Sequence, residues 1–140
     1  MGMTQKMKQH QLTIPTQGRG FYDVTPKINA LLGGVDVGLC NVFIRHTSAS
    51  LLINENSDPN VQKDLEAFMQ RLVKDGDPLY KHIEEGTDDM PSHIRCALTA
   101  TTLTIPIMEG RLALGTWQGV YLWEHRFAHN ERKIIISVID

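Results

Sequence analysis

The sequence predicts an α+β fold in a single domain of 140 residues. Three observations lead to this prediction: a length that suits one domain, several β-rich runs, and helical patterns that do not alternate regularly with those runs. Regular alternation of strands and helices would indicate a doubly wound parallel sheet. The irregular order favours antiparallel strands with a few helices set among them.

Apolar runs with strand-like composition predict about seven strands. The runs are Lys8–Thr16 with its continuation Phe21–Val24, Val35–Arg45, Leu51–Asn54, Thr101–Ile107, Arg111–Thr116, Gly119–Arg126 and Lys133–Ile139. Met108-Glu109-Gly110 has the composition of a hairpin turn, and Ala128–Glu131 is predicted to be a second turn. The three runs between Thr101 and Arg126 are therefore expected to be successive antiparallel strands.

Capping and periodicity signals predict two to three helices. Pro26–Leu32 follows a cap-like threonine and stops at two glycines. Asp58-Pro59 starts a second helix, whose apolar side chains recur on one face and are expected to be core. These side chains are Val61, Leu65, Phe68, Met69 and Leu72. Pro91 is expected to open a third, short helix that runs through Leu98.

Charge and hydropathy argue against several classes of function. The net charge is −2 and no polybasic run is present, so direct binding to nucleic acid is not expected. No apolar run approaches the roughly 18 residues of a membrane span. Cys40 and Cys96 lie far apart without a C-x-x-C motif, and are interpreted as reduced core thiols of a cytoplasmic protein. Residues 1–7 lack the apolar centre of a signal peptide and are expected to be disordered or tag-derived.

A polar loop and a set of histidines mark the candidate site. The loop, Asp77–Asp89, is long for so small a domain, and such loops are more often functional than idle. Four of the histidines lie in polar clusters: His46, His82, His93 and His125. These clusters place imidazoles beside carboxylates, as acid–base pairs and metal sites require. His10 and His129 are expected to be ordinary surface residues.

Two motifs have both a structural and a functional interpretation. In the structural interpretation, Asp89 or its neighbour caps the helix that Pro91 starts. In the functional interpretation, the start of that helix lies beside an anion or a metal-bound ligand. The two interpretations are compatible. The segment Gly115-Thr116-Trp117-Gln118-Gly119 forms a bulge with its tryptophan in the core, or it presents Trp117 and Gln118 to a flat heterocycle. No closed metal signature, G-x-S-x-G motif or Walker A motif occurs in the sequence.

Six blocks of residues are similar to those of the YjbQ family, which is also called the secondary thiamine-phosphate synthase family. The blocks are His46-Thr47-Ser48-Ala49-Ser50-Leu51, Asn54-Glu55-Asn56 with Asp58-Pro59, Glu85-Gly86 with Asp88-Asp89-Met90-Pro91-Ser92-His93-Ile94, Gly110-Arg111, Gly115-Thr116-Trp117-Gln118-Gly119 and Glu124-His125-Arg126. They occur in the order found in the family. The resemblance extends over nearly the whole chain, from about Lys8 to Ile139.

The resemblance implies a two-sheet β-sandwich within the α+β class and a homotrimer around a threefold axis. It also implies a weak thiamine-phosphate synthase activity, in which a pyrimidine diphosphate alkylates a thiazole phosphate and releases pyrophosphate, beside a primary role that is unsettled. For this reaction Asp88, Asp89 and Glu85 are candidate holders of Mg²⁺, and Arg126 or Arg45 is a candidate phosphate clamp. A set of three imidazoles suits Zn²⁺ or another transition metal better.

The candidate residues fall into two groups. The candidate catalytic residues are His46, Thr47, Asp89, Gln118, Glu124 and Arg126, and the candidate metal ligands are His82, His93 and His125. Three hypotheses of function remain open. The first is a transferase that acts on small phosphorylated heterocycles, the second a metal-dependent hydrolase of unknown substrate, and the third a non-catalytic trimeric binding module whose polar clusters line a subunit interface.

Overall fold

A computed structural model describes residues 6–140, which form two antiparallel sheets and three helices. The strands are β1 (Met7–Gln17), β2 (Gly20–Asp23), β3 (Gly38–Ile44), β4 (Ala49–Glu55), β5 (Thr102–Met108), β6 (Arg111–Leu112), β7 (Gln118–Glu124) and β8 (His129–Ile139), and the helices are α1 (Thr25–Asn29), α2 (Pro59–Leu72) and α3 (Asp89–Leu98). The larger sheet has the order β1-β8-β3-β5-β6, and the smaller has the order β2-β7-β4. The predicted α+β fold with two sheets is therefore confirmed.

The first and last strands pair along their whole length. Met7 lies opposite Ile139, and Gln17 lies opposite His129. The turn predicted over Ala128–Glu131 is shorter than expected, because β8 already begins at His129 with polar residues that continue the ladder. Residues 1–5 of the segment predicted to be disordered lie outside the described part of the chain, whereas Met7 is part of β1.

The core lies between the two sheets, where alternate side chains of each strand face inward. In β3 the buried positions are Cys40, Val42 and Ile44, and β8 contributes Ile134 and Ile136. This period of two is the geometry of a half-buried strand. Each buried aliphatic side chain stabilises the fold by about 1.5–3 kcal/mol relative to full exposure. Burial also raises the pKa of the Cys40 thiol to about 11, so this cysteine is a core residue and not a nucleophile.

Helix α2 begins as predicted, but its apolar face is only partly core. The Asp58 side chain accepts a backbone N–H of the first turn at 2.9 Å. Met69 is buried, whereas Phe68 and Leu72 are 55% and 58% exposed. The helix packs on the smaller sheet through a small apolar cluster around Trp123, so only part of its apolar face is covered. The prediction that the whole face is core is therefore wrong.

Helix α1 is shorter than the predicted Pro26–Leu32. It ends at Asn29, because the next backbone bonds tighten into a 3₁₀ turn. In that turn the Leu31 N–H donates to the Ile28 carbonyl at 2.9 Å. No helix within residues 6–140 is both long and apolar enough to cross a membrane.

Strand β6 is also shorter than predicted, because a tight turn follows it. The prediction covers Arg111–Thr116, whereas the strand ends at Leu112. The Gln118 side chain accepts the Gly115 N–H at 2.8 Å and closes the turn. Trp117 at the tip of this turn is 62% exposed, so the interpretation that places it in the core is wrong.

Gly38 is expected to be essential where β3 passes β8, because a methyl group there would overlap the carbonyl oxygen of Ile139. We predict that Gly38→Ala destabilises the protein by roughly 1–3 kcal/mol, seen as a lower urea midpoint with an unchanged m-value. Gly115→Ala is the milder control, because its added methyl would meet a side-chain oxygen of Gln118 at 3.3 Å and no backbone atom so closely as at Gly38. Equal losses in the two variants would contradict the prediction.

Candidate functional site

The loop between α2 and α3 is held in a defined shape by its own hydrogen bonds. The Gly76 N–H donates to the Thr87 carbonyl at 3.0 Å, which closes the base of the loop. The Tyr80 hydroxyl donates to the Lys74 carbonyl at 2.8 Å. Gly76 has a φ of +64°, which glycine adopts without steric cost. The loop therefore presents His82 beside the start of α3.

Three potential ligand atoms converge where this loop meets α3. His82 Nε2 lies 2.6 Å from Asp89 Oδ2, and His93 Nε2 lies 3.2 Å from the same oxygen. Asp89 and His93 are one helical turn apart, so they project from the same face of α3. All three atoms lie within 4.8 Å of one another. We call these three residues the His–Asp–His cluster.

A backbone carbonyl fixes the position of the proton on His93. His93 Nδ1 lies 2.8 Å from the carbonyl oxygen of Thr47, which can only accept, so Nδ1 carries a proton. In the neutral ring, Nε2 then points its lone pair at Asp89 Oδ2 across 3.2 Å. Two acceptors at this distance repel each other unless a proton or a metal ion lies between them. Thr47, a candidate catalytic residue, thus acts here through its carbonyl group.

Arg126 holds the acidic side of the cluster. Its Nη1 donates to Asp89 Oδ1 at 2.6 Å, its Nε to Asp88 Oδ2 at 3.0 Å, and its Nη2 to the Glu85 carbonyl at 2.8 Å. Burial acts to raise the pKa of Asp89, but the hydrogen bond from His82 and the charge of Arg126 leave that pKa below its usual range. Arg126, a candidate phosphate clamp, therefore uses three of its five N–H donors within the protein.

The acidic residues at the start of α3 do not cap the helix. Asp88 occupies the N-cap position, yet its side chain makes no capping bond. Its Oδ2 instead accepts the Phe127 N–H at 2.9 Å, and Arg126 donates to the same oxygen. Helix α3 begins at Asp89, two residues before the predicted start at Pro91. The interpretation that Asp89 or its neighbour serves as a cap is thus not supported.

His125, a predicted metal ligand, lies outside the cluster. It is fully buried, and its Nε2 lies 2.8 Å from Ser50 Oγ. Burial, and to a smaller extent the charge of Arg95, lowers the pKa of His125 to about 2, so the ring is neutral. Its ring packs on Trp123 at a centroid distance of 5.1 Å. Arg126 is bonded to Asp88 and Asp89 and its side chain is 21% exposed, so His125 and Arg126 lie in different surroundings.

Glu124, a candidate catalytic residue, is a structural carboxylate. It is fully buried, and it accepts hydrogen bonds from Thr16 Oγ1 at 2.6 Å, Arg132 Nε at 2.7 Å and the Arg126 N–H at 3.1 Å. These bonds join β7 of the smaller sheet to β1 and β8 of the larger one. Sequence reasoning missed Arg132, although it has the same period-two spacing as the inward-facing Ile134 in β8.

His46 and Gln118, two further candidate catalytic residues, have fixed structural partners. His46 Nε2 accepts the Lys133 N–H at 2.8 Å, so that lone pair is not free to take a proton. Burial lowers the pKa of His46, and the charge of Arg132 lowers it further. A neutral His46 therefore acts as a hydrogen-bond donor through Nδ1 and not as a base. The side chain of Gln118 closes the turn at Gly115.

The buried neutral His125 makes the stability of the protein sensitive to acid. Its pKa is about 2 in the folded protein against 6.5 in the unfolded chain, so only the unfolded chain gains the proton as the pH falls below 6.5. We predict that this group lowers the free energy of unfolding by up to about 1.4 kcal/mol per pH unit below that point. His125→Gln should show a shallower slope in urea unfolding between about pH 7 and pH 4.

His129→Gln is the matched control for this measurement, because His129 is exposed. Its replacement removes an exposed imidazole, so the comparison isolates the effect of the buried ring. Parallel curves for the wild type and His125→Gln would contradict the assignment of acid sensitivity to His125.

Comparisons with known proteins agree on one family. The family model described as "UPF0047 protein YjbQ-like" matches residues 10–140. UPF0047 protein sll1880 of Synechocystis is 53% identical over 135 residues, which are 94% of this chain and 92% of the relative. UPF0047 protein YjbQ of Escherichia coli O157:H7 is 44% identical over 133 residues, which are 93% and 96% of the two chains.

Solved structures agree with this result. The conserved hypothetical protein TT1486 of Thermus thermophilus has a TM-score of 0.84 and 33% identity, with 91% of this chain and 97% of that one covered. The YbjQ-like protein SSO2532 of Sulfolobus solfataricus has a TM-score of 0.82 at 22% identity, covering 96% and 99% of the two chains, and shows the fold alone. With two sheets, a matching family model and close relatives along nearly its whole length, the chain belongs to the YjbQ-like UPF0047 family.

Proposed function

We propose that the protein is a metal-dependent hydrolase whose His–Asp–His cluster holds a divalent transition-metal ion. The observation that carries the proposal is the convergence of His82 Nε2, Asp89 Oδ2 and His93 Nε2 within 4.8 Å of one another. Two imidazoles and one carboxylate form a common ligand set of catalytic zinc sites, and of other transition-metal sites with open positions.

The surroundings of the cluster fit a cation. The Thr47 carbonyl directs the His93 Nε2 lone pair at the cluster, which is the supporting arrangement found around metal-bound histidines. Arg126 engages only Oδ1 of Asp89, so Oδ2 remains directed at the two rings. A metal ion would also relieve the repulsion between His93 Nε2 and Asp89 Oδ2 that the neutral ring would otherwise suffer.

The exposure of the cluster fits a catalytic site better than a closed structural one. The His82 side chain is 46% exposed and that of His93 is 32% exposed, whereas Asp89 is buried. A structural zinc site has four protein ligands, whereas a catalytic site keeps a position for substrate. When bound, a divalent ion supplies Lewis acidity toward a substrate oxygen. Glu85 provides a nearby carboxylate for proton transfer, since its Oε2 lies 4.0 Å from His82 Nε2 and its side chain is 66% exposed.

The thiamine-phosphate synthase activity implied by the resemblance stays a prediction. It requires carboxylates that hold Mg²⁺ and a cation that clamps phosphate. Asp88 Oδ2 is occupied by Arg126 and Phe127, and Arg126 is engaged by both aspartates, so these residues are less available for the roles that the transferase would give them. The homotrimer, and with it a role as a non-catalytic binding module, likewise remains a prediction that a measurement of molecular mass would test.

Metal binding is the first expected outcome of this proposal. We predict that protein purified without exposure to a nickel column is stabilised by Zn²⁺, by about 2.7 kcal/mol when free Zn²⁺ is about 100-fold above its Kd. Thermal unfolding with and without the metal measures this shift. His93→Ala and Asp89→Asn should lose the shift, because the first removes an imidazole ligand and the second replaces the anionic carboxylate by a neutral amide.

His129→Ala is the control and should keep the full shift, because His129 is not part of the cluster. The proposal would be contradicted if the wild-type protein contained no bound metal and its unfolding temperature did not respond to Zn²⁺, Mn²⁺ or Co²⁺.

Catalysis is the second expected outcome. We predict metal-dependent hydrolysis of at least one chromogenic ester or phosphoester from a panel, lowered about 100-fold or more in Asp89→Asn, since Lewis acidity contributes several kcal/mol to such reactions. A parallel assay supplies both thiamine precursors with Mg²⁺ and measures thiamine phosphate. Synthesis of thiamine phosphate without any hydrolysis would replace the hydrolase by the transferase, and His129→Ala is again the control.

A further inference from the structure

A groove of about 550 Å³ lies between α3 and the segment that joins β3 to β4. Its lining residues are His46, Thr47, His93, Cys96, Ala97 and Thr101. His93 therefore borders the groove and also belongs to the His–Asp–His cluster. The Cys96 thiol donates to the Ala49 carbonyl, and burial raises its pKa to about 12, so the groove has no reactive thiol.

His46 faces this region with a bound proton on Nδ1. Its Nε2 accepts the backbone N–H of Lys133 at 2.8 Å, and a backbone N–H is always a donor. A neutral imidazole carries one proton, so it must be on Nδ1. Among residues 6–140, the only hydrogen-bond partner of Nδ1 is Arg132 Nη1 at 3.4 Å, which is also a donor. The two N–H groups therefore meet without an acceptor between them.

Arg132 reaches the same point from the interior. Its side chain is 5% exposed, its Nε and Nη2 donate to the two oxygens of Glu124, and Nη2 also contacts the Ser48 carbonyl. Within the described chain, Nη1 has only His46 as a neighbour at bonding distance. A buried arginine donor that lacks an acceptor is costly, and such groups usually have a partner.

The charge around His46 favours an anion. Arg132, Arg45 and Lys133 lie close enough to lower the pKa of His46, after the larger effect of burial, and Glu124 is the one carboxylate that acts in the opposite direction. The charged groups that act on the pKa of His46 are therefore mainly cationic. A neutral acceptor such as a carbonyl would satisfy the two donors, but an oxyanion would also gain from the excess of positive charge.

We propose that His46 Nδ1 and Arg132 Nη1 form an oxyanion-binding subsite that takes one oxygen of a phosphoryl or carboxylate group. The role of this subsite in holding a substrate beside the His–Asp–His cluster rests on the proposed function. Its ability to bind an oxyanion is independent of that function. Thr47 connects the two sites, because its carbonyl accepts from His93 Nδ1 and its backbone follows directly on His46.

The proton position is tested on the unmodified protein. Long-range ¹H–¹⁵N NMR correlations distinguish a protonated ring nitrogen from one that carries a lone pair. The expected result for His46 is a protonated Nδ1 and an unprotonated Nε2. The opposite tautomer would overturn the proposal, because Nδ1 would then accept from Arg132 and no unmatched donors would remain.

Anion binding is tested by titrating metal-free protein with inorganic phosphate and, separately, with acetate, at constant ionic strength set with chloride. The ring signals of His46 should shift and saturate with at least one anion. Saturation with phosphate alone identifies a phosphoryl site, with acetate alone a carboxylate site, and with both a general oxyanion site. No saturable shift with either anion would overturn the proposal.

His46→Gln is the informative variant. Its side-chain oxygen can still accept the Lys133 N–H, but the donor on Nδ1 is gone, so affinity followed on backbone signals around Arg132 should fall about tenfold. His129→Gln should bind like the wild type. Unchanged affinity in a folded His46→Gln protein would place the anion elsewhere and reject the subsite.

The failure of this subsite and the failure of the metal site can be told apart. His82→Ala removes a cluster ligand that does not line the groove, so it should abolish Zn²⁺ binding and keep anion binding. Anion binding in a protein that takes no Zn²⁺ would support the subsite and reject the metal-dependent hydrolase. Zn²⁺ binding without anion binding would support the metal site and reject the subsite.

Discussion

The buried ion pair of Glu124 and Arg132 is the interaction on which the rest of the structure depends. Glu124 ends β7 of the smaller sheet, and Arg132 lies near the start of β8 in the larger one. The pair is bonded through both carboxylate oxygens, and Thr16 of β1 supplies a further donor. Burying two charges costs several kcal/mol per ion, which the attraction offsets only when the geometry is good and the remaining lone pairs are satisfied. This requirement restricts how the two sheets sit against each other, whereas apolar contacts alone would tolerate small shifts.

The same pair organises both parts of the candidate site. Glu124 Oε2 accepts the Arg126 N–H, and the Arg126 side chain then fixes Asp89 and the backbone of the loop at Glu85. On the other side, Arg132 reaches His46. Donors and acceptors held in this way need little reorganisation when a ligand binds. They are electrostatically preorganised. A buried pair far from solvent is therefore the reason that two surface features are well defined.

Local patterns predicted the elements well and the partners of polar side chains less well. The cap at Asp58 and the long polar loop ahead of α3 follow from signals within a few residues of sequence. The buried position of His125 does not follow from such local signals. The burial of an imidazole depends on the residues that pack against it, here Trp123 and Ser50. The exposed Phe68 and Leu72 show the same limit, since helical periodicity reveals an apolar face but not the width of the surface that covers it. Arg132 was missed because its importance comes from Glu124 and His46, and His46 is distant in sequence.

The pairing of the first strand with the last determines the order in which the chain can fold. The larger sheet is incomplete until β8 is available, because β8 lies between β1 and β3. Contacts between such distant segments require the chain to lose loop-closure entropy, and this cost slows the folding of β-rich proteins. The residues of the His–Asp–His cluster are close in sequence and can approach one another early. Their supports cannot, because Arg126 is oriented by Glu124, and Glu124 stays unpaired until Arg132 arrives with the last strand. A chain emerging from the ribosome thus carries the three residues of the cluster long before it has the side chains that hold them in place.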